Sequence, residues 1–444
     1  MIRVHVALPS GRTESLLIEQ SSKVGDLKLL AQTSLRQGFL RLVAADGRVL
    51  SEPMEPLHAA GIRDGDQLTA IAQQAKLAAT GRAFALWRIG GNSVVAWGDP
   101  EYGGDSSMVR DQLRNVQQIV ATGAAFAAIL GDGSVITWGS RTHGGDSSAV
   151  QDQLRSVQQL QATHFAFAAI LADGSVVTWG RPGCGGDSSA VRDKLKNVQQ
   201  IQATGAAFAA IVEGSVVTWG ERGFGGNSSE VQENLRNVQQ LHASHKAFAA
   251  ILADGSVVTW GDQFSGGNSW AVQDQLQNVQ QIQATHFAFA AILADGSFVT
   301  WGDRHSGGDS SAVQDQLRNV QQVKASHNAF SAILADGSVV TWGDLGCGVD
   351  IYEVKSQLKS VRQIQAAYFA FAAIRADGSV VTWGDPLSGG DSSEVQAQLR
   401  NVQQIQATCR AFAAIVADGS IVTWGNASSG ADCSKVLDEI VDFS

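Results

Sequence analysis

The stretch Ala288-Phe289-Ala290-Ala291-Ile292-Leu293-Ala294-Asp295-Gly296-Ser297-Phe298-Val299-Thr300-Trp301-Gly302 decides the architecture. An apolar run, an Asp-Gly pair and a second run rich in β-branched and aromatic residues read as two antiparallel strands joined by a hairpin turn. Upstream, Val279-Gln280-Gln281-Ile282-Gln283-Ala284-Thr285 reads as a further strand. Downstream, Gly307-Gly308-Asp309-Ser310-Ser311 leads into Val313, Leu317 and Val320, whose spacing suggests one apolar stripe of a short helix or helical turn. Small alanines beside one Phe and one Trp suit closely stacked sheets, where side-chain volume is limited.

This unit is written nine times. Its mark is a Trp-Gly pair, at Trp97, Trp138, Trp179, Trp219, Trp260, Trp301, Trp342, Trp383 and Trp424. Every gap is 41 residues except one of 40, where the turn Glu213-Gly214 is one residue shorter than its counterparts. A period of this length means a solenoid or a propeller rather than an ordinary enzyme core. The fold class expected is mainly β, a propeller-like array of nine repeats over residues 75–444. A closed ring is favoured, because an open array leaves edge strands exposed, with an open or superhelical arc as the alternative.

Residues 1–74 read as a separate small α+β domain. Ile2, Val4, Val6 and Leu8 alternate with polar or small residues as a half-buried strand, and Leu16-Leu17-Ile18 return after the turn at Pro9-Ser10-Gly11. Val24, Leu27, Leu30 and Ala31 mark an amphipathic helix, with Ser22 as its expected cap. Phe39–Ala44 and Gln67–Ala72 read as further strands, and Val4, Leu17, Leu27 and Leu42 as core. The first repeat is expected to open with a strand near Gln74–Thr80. The last is expected to end on Val436, Ile440 and Phe443.

The order hairpin, helix, strand, short turn, strand resembles a ubiquitin-like (β-grasp) domain, as do Leu40-Arg41-Leu42-Val43 and Gly61-Ile62-Arg63-Asp64-Gly65-Asp66. That family docks partners through an apolar patch on its third strand, for which Val43 is the nearest equivalent; its free Gly-Gly terminus is missing. The repeat, with its Asp-Gly-Ser-Val-Val-Thr-Trp-Gly core, resembles the regulator of chromosome condensation family. That family forms β-propellers, usually of seven blades, and includes exchange factors for small GTPases, photoreceptors and modules of ubiquitin ligases. Two departures stand out. The family's Gly-Gln-Leu-Gly step is Gly-Gly-Asp-Ser here, and the His that usually opens its second strand is Ala, as at Ala166 and Ala288.

Composition narrows the function. The formal charge is -10, while residues 1–75 carry 8 basic and 8 acidic side chains, so the excess acid lies in the repeats. An acidic array argues against a nucleic-acid backbone or an anionic membrane as partner. The cysteines Cys184, Cys347, Cys409 and Cys433 form no C-x-x-C pair, which fits a reducing compartment, intracellular and either cytoplasmic or nuclear. No signal peptide or long apolar span is read. No hydrolase elbow, zincin or Walker motif is present, so no enzyme activity and no cofactor are expected.

Asp or Asn recurs eight residues after each Trp, from Asp105 to Asp432. Because Asn replaces Asp at Asn227 and Asn268, a helix cap fits this position better than a ring of metal ligands. His164, His245, His286 and His327 also share one position, which is Gly, Tyr or Cys in other units, so no metal site is expected there.

Two stretches vary between units: the residues after Trp-Gly, and a pair between the first and second strands. Strand directions put both on one face, where binding specificity is usually built. The expected partner-binding residues are Tyr102, Phe165, Arg222, Phe224, Lys246, Phe264, Arg304, Tyr368 and Arg410, since aromatic side chains and Arg anchor interfaces. The leading expectation is a non-catalytic protein-interaction scaffold, with the ubiquitin-like domain recruiting a second factor. The alternatives are an exchange-factor-like regulator of a small GTPase and a substrate-binding component of a ubiquitin ligase system.

Overall fold

A computed structural model of the chain describes residues 1–35, 40–50, 52–72 and 75–436. The features expected at Phe39, Gln74, Ile440 and Phe443 lie outside these residues.

The N-terminal segment contains β1 (Ile2–Ala7), β2 (Thr13–Ile18), α1 (Val24–Leu35), β3 (Leu40–Ala44) and β4 (Gln67–Ala72). The sheet order is β2-β1-β4-β3, with β1 and β4 parallel. Val4, Val6, Leu16, Leu42 and Leu68 share a core with Val24, Leu27, Ala31 and Leu35 of the helix. Two expectations are corrected. Leu17 is 54% exposed, and Leu16 and Ile18 are buried instead. The register pairs Val4 with Leu16 and Ile2 with Ile18, and side chains alternate faces along a strand. Ser22 does not cap α1. The Asp26 carboxylate reaches back to accept from the Lys23 backbone N–H at 2.9 Å, while the Ser22 carbonyl accepts from Leu57 N–H.

The repeats form nine three-stranded antiparallel sheets among the described residues. We number the blades 1 to 9 by their tryptophans and call their strands a, b and c in chain order. In blade 6 these are Val279–Ala284, Ala288–Leu293 and Phe298–Gly302. Strand b is the buried centre. Phe289 is fully buried and lies opposite Trp301, their rings stacked at 5.1 Å.

The b–c turn has three residues. Leu293 N–H donates to Ser297 O, Gly296 takes φ +79°, and the Asp295 carboxylate accepts from Ser297 N–H at 2.8 Å. In blade 4 the turn has two residues, Glu213 and Gly214, both left-handed at φ +50° and +77°, with Val212 directly opposite Ser215. This accounts for the single 40-residue gap.

The expected apolar stripe is not one helix. Between blades 6 and 7 only Gln314–Gln316 forms a 3-10 turn, and Val320 already begins strand a of blade 7. Asn319, with φ +55°, separates the two. Nor is Asp309 a cap. Its carboxylate accepts from Ser311 N–H, two residues on, at 3.0 Å, in an Asx turn that precedes the 3-10 turn. The same bond recurs from Asp105 to Asp432, including at Asn227 and Asn268. It needs only a side-chain oxygen, which Asp and Asn both supply.

Blades are joined in several ways. Each signature indole N–H donates to a glycine carbonyl of the preceding blade, as Trp301 does to Gly266 O at 3.0 Å. That glycine has φ +89°, and a Cβ on it would lie 2.4 Å from the Phe289 ring of the next blade. This is why the Gly-Gly step begins with glycine. At the end of strand a, each backbone N–H donates to the equivalent carbonyl of the next blade. The series runs Gly81, Gly123, His164, Gly205, His245, His286, His327, Tyr368 and Cys409, and Cys409 N–H returns to Gly81 O at 3.1 Å. At the seam, Leu77, Phe84 and Trp97 share a core with Ala411, Ala413 and Ile421. The nine blades therefore close into a ring. Each sheet keeps its own three strands, and closure comes from packing and this hoop of backbone hydrogen bonds.

Candidate functional site at the mouth of the ring

The hoop surrounds a cavity of about 860 Å³ lined by the ends of all nine a strands. The two variable stretches meet there through one repeated latch. The Thr or Ser that follows strand a donates its hydroxyl to a backbone carbonyl in the turn after Trp-Gly. Thr122 Oγ1 bonds His143 O at 2.9 Å, Thr204 bonds Phe224 O at 2.9 Å, and Ser244 bonds Ser265 O at 2.8 Å. The same hydroxyl accepts from the N–H that starts strand b, as Thr204 does from Ala207 at 3.0 Å. One short side chain thus holds both loops on one face. Blade 8 has Ala367 at this position and lacks the latch.

The expected binding residues fall into two groups. Tyr102, Phe165, Tyr368 and Arg410 line the mouth. Phe224 packs edge-on against His245 at 5.3 Å and lies under Lys246, whose Nζ is 5.2 Å from its ring centroid. Arg222, Phe264 and Arg304 are exposed on the turns after Trp-Gly, with Arg304 paired to Asp309 at 3.2 Å. Two contributors were missing from the sequence expectation. Arg82 lies over Tyr102 at 4.9 Å, and Arg181 over Phe165 at 5.4 Å. The signal was present, since each cation occupies one variable stretch and its aromatic partner the other.

Histidines crowd one side of the mouth. Ring centroids are 5.1 Å apart for His164 and His245, 5.0 Å for His245 and His286, and 3.9 Å for His286 and His327. Tyr368 continues the series at 5.2 Å from His327. Burial, with neighbouring imidazoles and Lys246 adding to it, holds His245 at a pKa of about 4. The same causes, burial first and then the other histidines, hold His286 at about 2. Burial also lowers His164 and His143. Burial pushes the Cys409 thiol and the Tyr368 hydroxyl up. The mouth is therefore lined at neutral pH by the uncharged imidazoles of His143, His164, His245 and His286, a protonated thiol and a phenol, rimmed by Arg82, Lys246 and Arg410.

Val43 lies half-buried on β3, opposite Thr69 of β4, on the sheet face that also carries Ile71, 42% exposed. Among the described residues no helix is long and apolar enough to cross a membrane.

No protein-family model matches the chain, and no curated protein sequence matches it. Solved structures do. Prp20p from Saccharomyces cerevisiae is 15% identical over 83% of this chain and 97% of that one, with a TM-score of 0.41. A yeast RCC1 (Prp20) structure with Kap60 is 16% identical, covering 82% of this chain and 92% of that one, with a TM-score of 0.42. The N-terminal ubiquitin-like domain of the 4931431F19Rik protein is 23% identical over 18% of this chain and 82% of that domain, with a TM-score of 0.16.

Proposed function

We propose that the protein is a non-catalytic interaction scaffold whose ring mouth grips a protein partner. The observation that carries this reading is the latch, which fixes two variable loops from successive strands onto one face around a single opening. The rim suits such a role. Three cation–aromatic pairs, Arg82–Tyr102, Arg181–Phe165 and Lys246–Phe224, offer large contact surfaces of the kind that dominate interface energies. The groups within the mouth suit binding better than chemistry. Its thiol is pushed away from the thiolate, and its best-buried imidazoles are neutral but, among the described residues, face no carboxylate orienter or nucleophile in hydrogen-bond reach.

In this reading the N-terminal domain is ubiquitin-like and recruits a second factor. Its mixed sheet with one packed helix supports that assignment, and the face carrying Val43 and Ile71 is the docking patch. The test is affinity capture with the full chain, comparing the unaltered protein with a Phe165→Ala/Lys246→Glu variant and with a Val43→Asp variant. Loss of one set of captured proteins in the first and a different set in the second is expected. Identical capture by all three contradicts the proposal.

A further inference from the structure

We propose that His164, His245 and His286 form a three-histidine site for a borderline divalent metal ion of the Zn²⁺ class at the mouth of the ring. One nitrogen from each ring lies within 4.8 Å of the others. Tetrahedral Zn²⁺ with Zn–N bonds of 2.0–2.1 Å needs nitrogens about 3.3 Å apart, so small side-chain rotations close the set. No hydrogen bond opposes them, because among the described residues none of the three donates or accepts a hydrogen bond through a ring nitrogen. His327 differs, since its Nδ1 is held by Asn328 Oδ1 at 2.8 Å.

The cluster depends on a residue that contributes no side chain. His164 and His245 belong to blades 3 and 5, and blade 4 places Gly205 between them. A Cβ on Gly205 would lie 2.4 Å from Cε1 and 2.6 Å from Nδ1 of His245, so that ring occupies the space left by the missing side chain. There it meets His164 on one side and His286 on the other.

The chemistry of the donors selects the ion. Three imidazoles and no carboxylate suit Zn²⁺, Cu²⁺ or Ni²⁺ and not Mg²⁺ or Ca²⁺, which demand oxygen ligands. Burial already keeps these imidazoles unprotonated at neutral pH, so a metal ion displaces few protons when it binds. Three protein ligands leave a fourth position open toward the cavity, for water or a side chain of a bound partner.

The experiment uses the full chain, stripped with chelator and titrated with Zn²⁺ by calorimetry and with Co²⁺ by visible absorption. One ion per chain and the intense absorption of tetrahedral Co²⁺ are expected. Glycine already occupies this position in blades 1, 2 and 4, so His245→Gly and His286→Gly are changes the frame accommodates. Each is expected to weaken binding by at least the ~100-fold that disturbing groups around metal ligands can cause. Gly205→Val keeps all three histidines but fills the space His245 uses, and is expected to weaken binding comparably. His305→Ala, on an outer turn, serves as the control and is expected to bind as the unaltered chain does. Absence of Zn²⁺ binding, or binding in His286→Gly and Gly205→Val as strong as in the unaltered chain, overturns the proposal.

Discussion

Trp97 donates its indole N–H to the carbonyl of Gly430 at 3.1 Å, across 333 residues of chain. It is the same bond that Trp301 makes to Gly266 within the array, so in this bond the seam between blades 9 and 1 matches the other boundaries. Trp97→Phe and Trp301→Phe should therefore cost alike, about 1–2 kcal/mol for a lost hydrogen bond that leaves a buried carbonyl unpaired. Trp301→Ala, which also removes the ring stacked on Phe289, should cost about 3–5 kcal/mol. Urea unfolding of the full chain is the measurement. A near-neutral Trp97→Phe beside a costly Trp301→Phe would mean that the ring is open in solution.

Gly266→Ala tests the packing between blades. It combines a left-handed backbone with a Cβ driven into Phe289, two effects of about 1–3 kcal/mol each. Gly183, whose added Cβ would meet nothing within 4 Å, is the control, and its alanine variant should melt as the unaltered chain does. Equal melting of the two variants would remove the role assigned to the Gly-Gly step.

Much of this frame was legible in the sequence. The Trp-Gly period gave nine units, and Asp295-Gly296 gave the hairpin, because local turn chemistry and strand pattern repeat. Leu17 was misplaced because Leu16-Leu17-Ile18 is a continuous apolar run that carries no alternation; the register with β1 decides its face. Asp309 was misplaced because an Asx turn and a helix cap use the same residue types. The histidines were legible as one repeated position of the unit, but their contact was not. His164 and His245 sit two units apart, and they meet only because the ring curves and Gly205 leaves a gap.

The histidines also set an acid dependence. In the unfolded chain they titrate near 6.5, whereas His245 and His286 in the ring stay neutral until about 4 and about 2. Between pH 6.5 and about 4 the unfolded state therefore binds more protons, and stability falls as pH falls. Above pH 6.5 these groups contribute no slope. His164, His327, Lys246 and Tyr368 are the other titratable or cationic groups around them, with His143 and Arg181 beyond His164, and His164 and His143 act in the same direction. The melting temperature of the metal-free chain should drop through this window, and the drop should be shallower in a His245→Gly/His286→Gly variant. Equal slopes would mean that these rings are solvated.

The central claim is that the mouth, and not the opposite face, binds the partner. Hydrogen exchange of the full chain, alone and with a captured partner, tests it most directly. The account predicts slowed exchange in the loops around Arg82, Tyr102, Phe165, Phe224, Lys246 and Tyr368, with the b–c turns at Asp254 and Asp336 unchanged. Protection confined to the turns at Asp254 and Asp336, with the mouth loops exchanging as in the free chain, would contradict it.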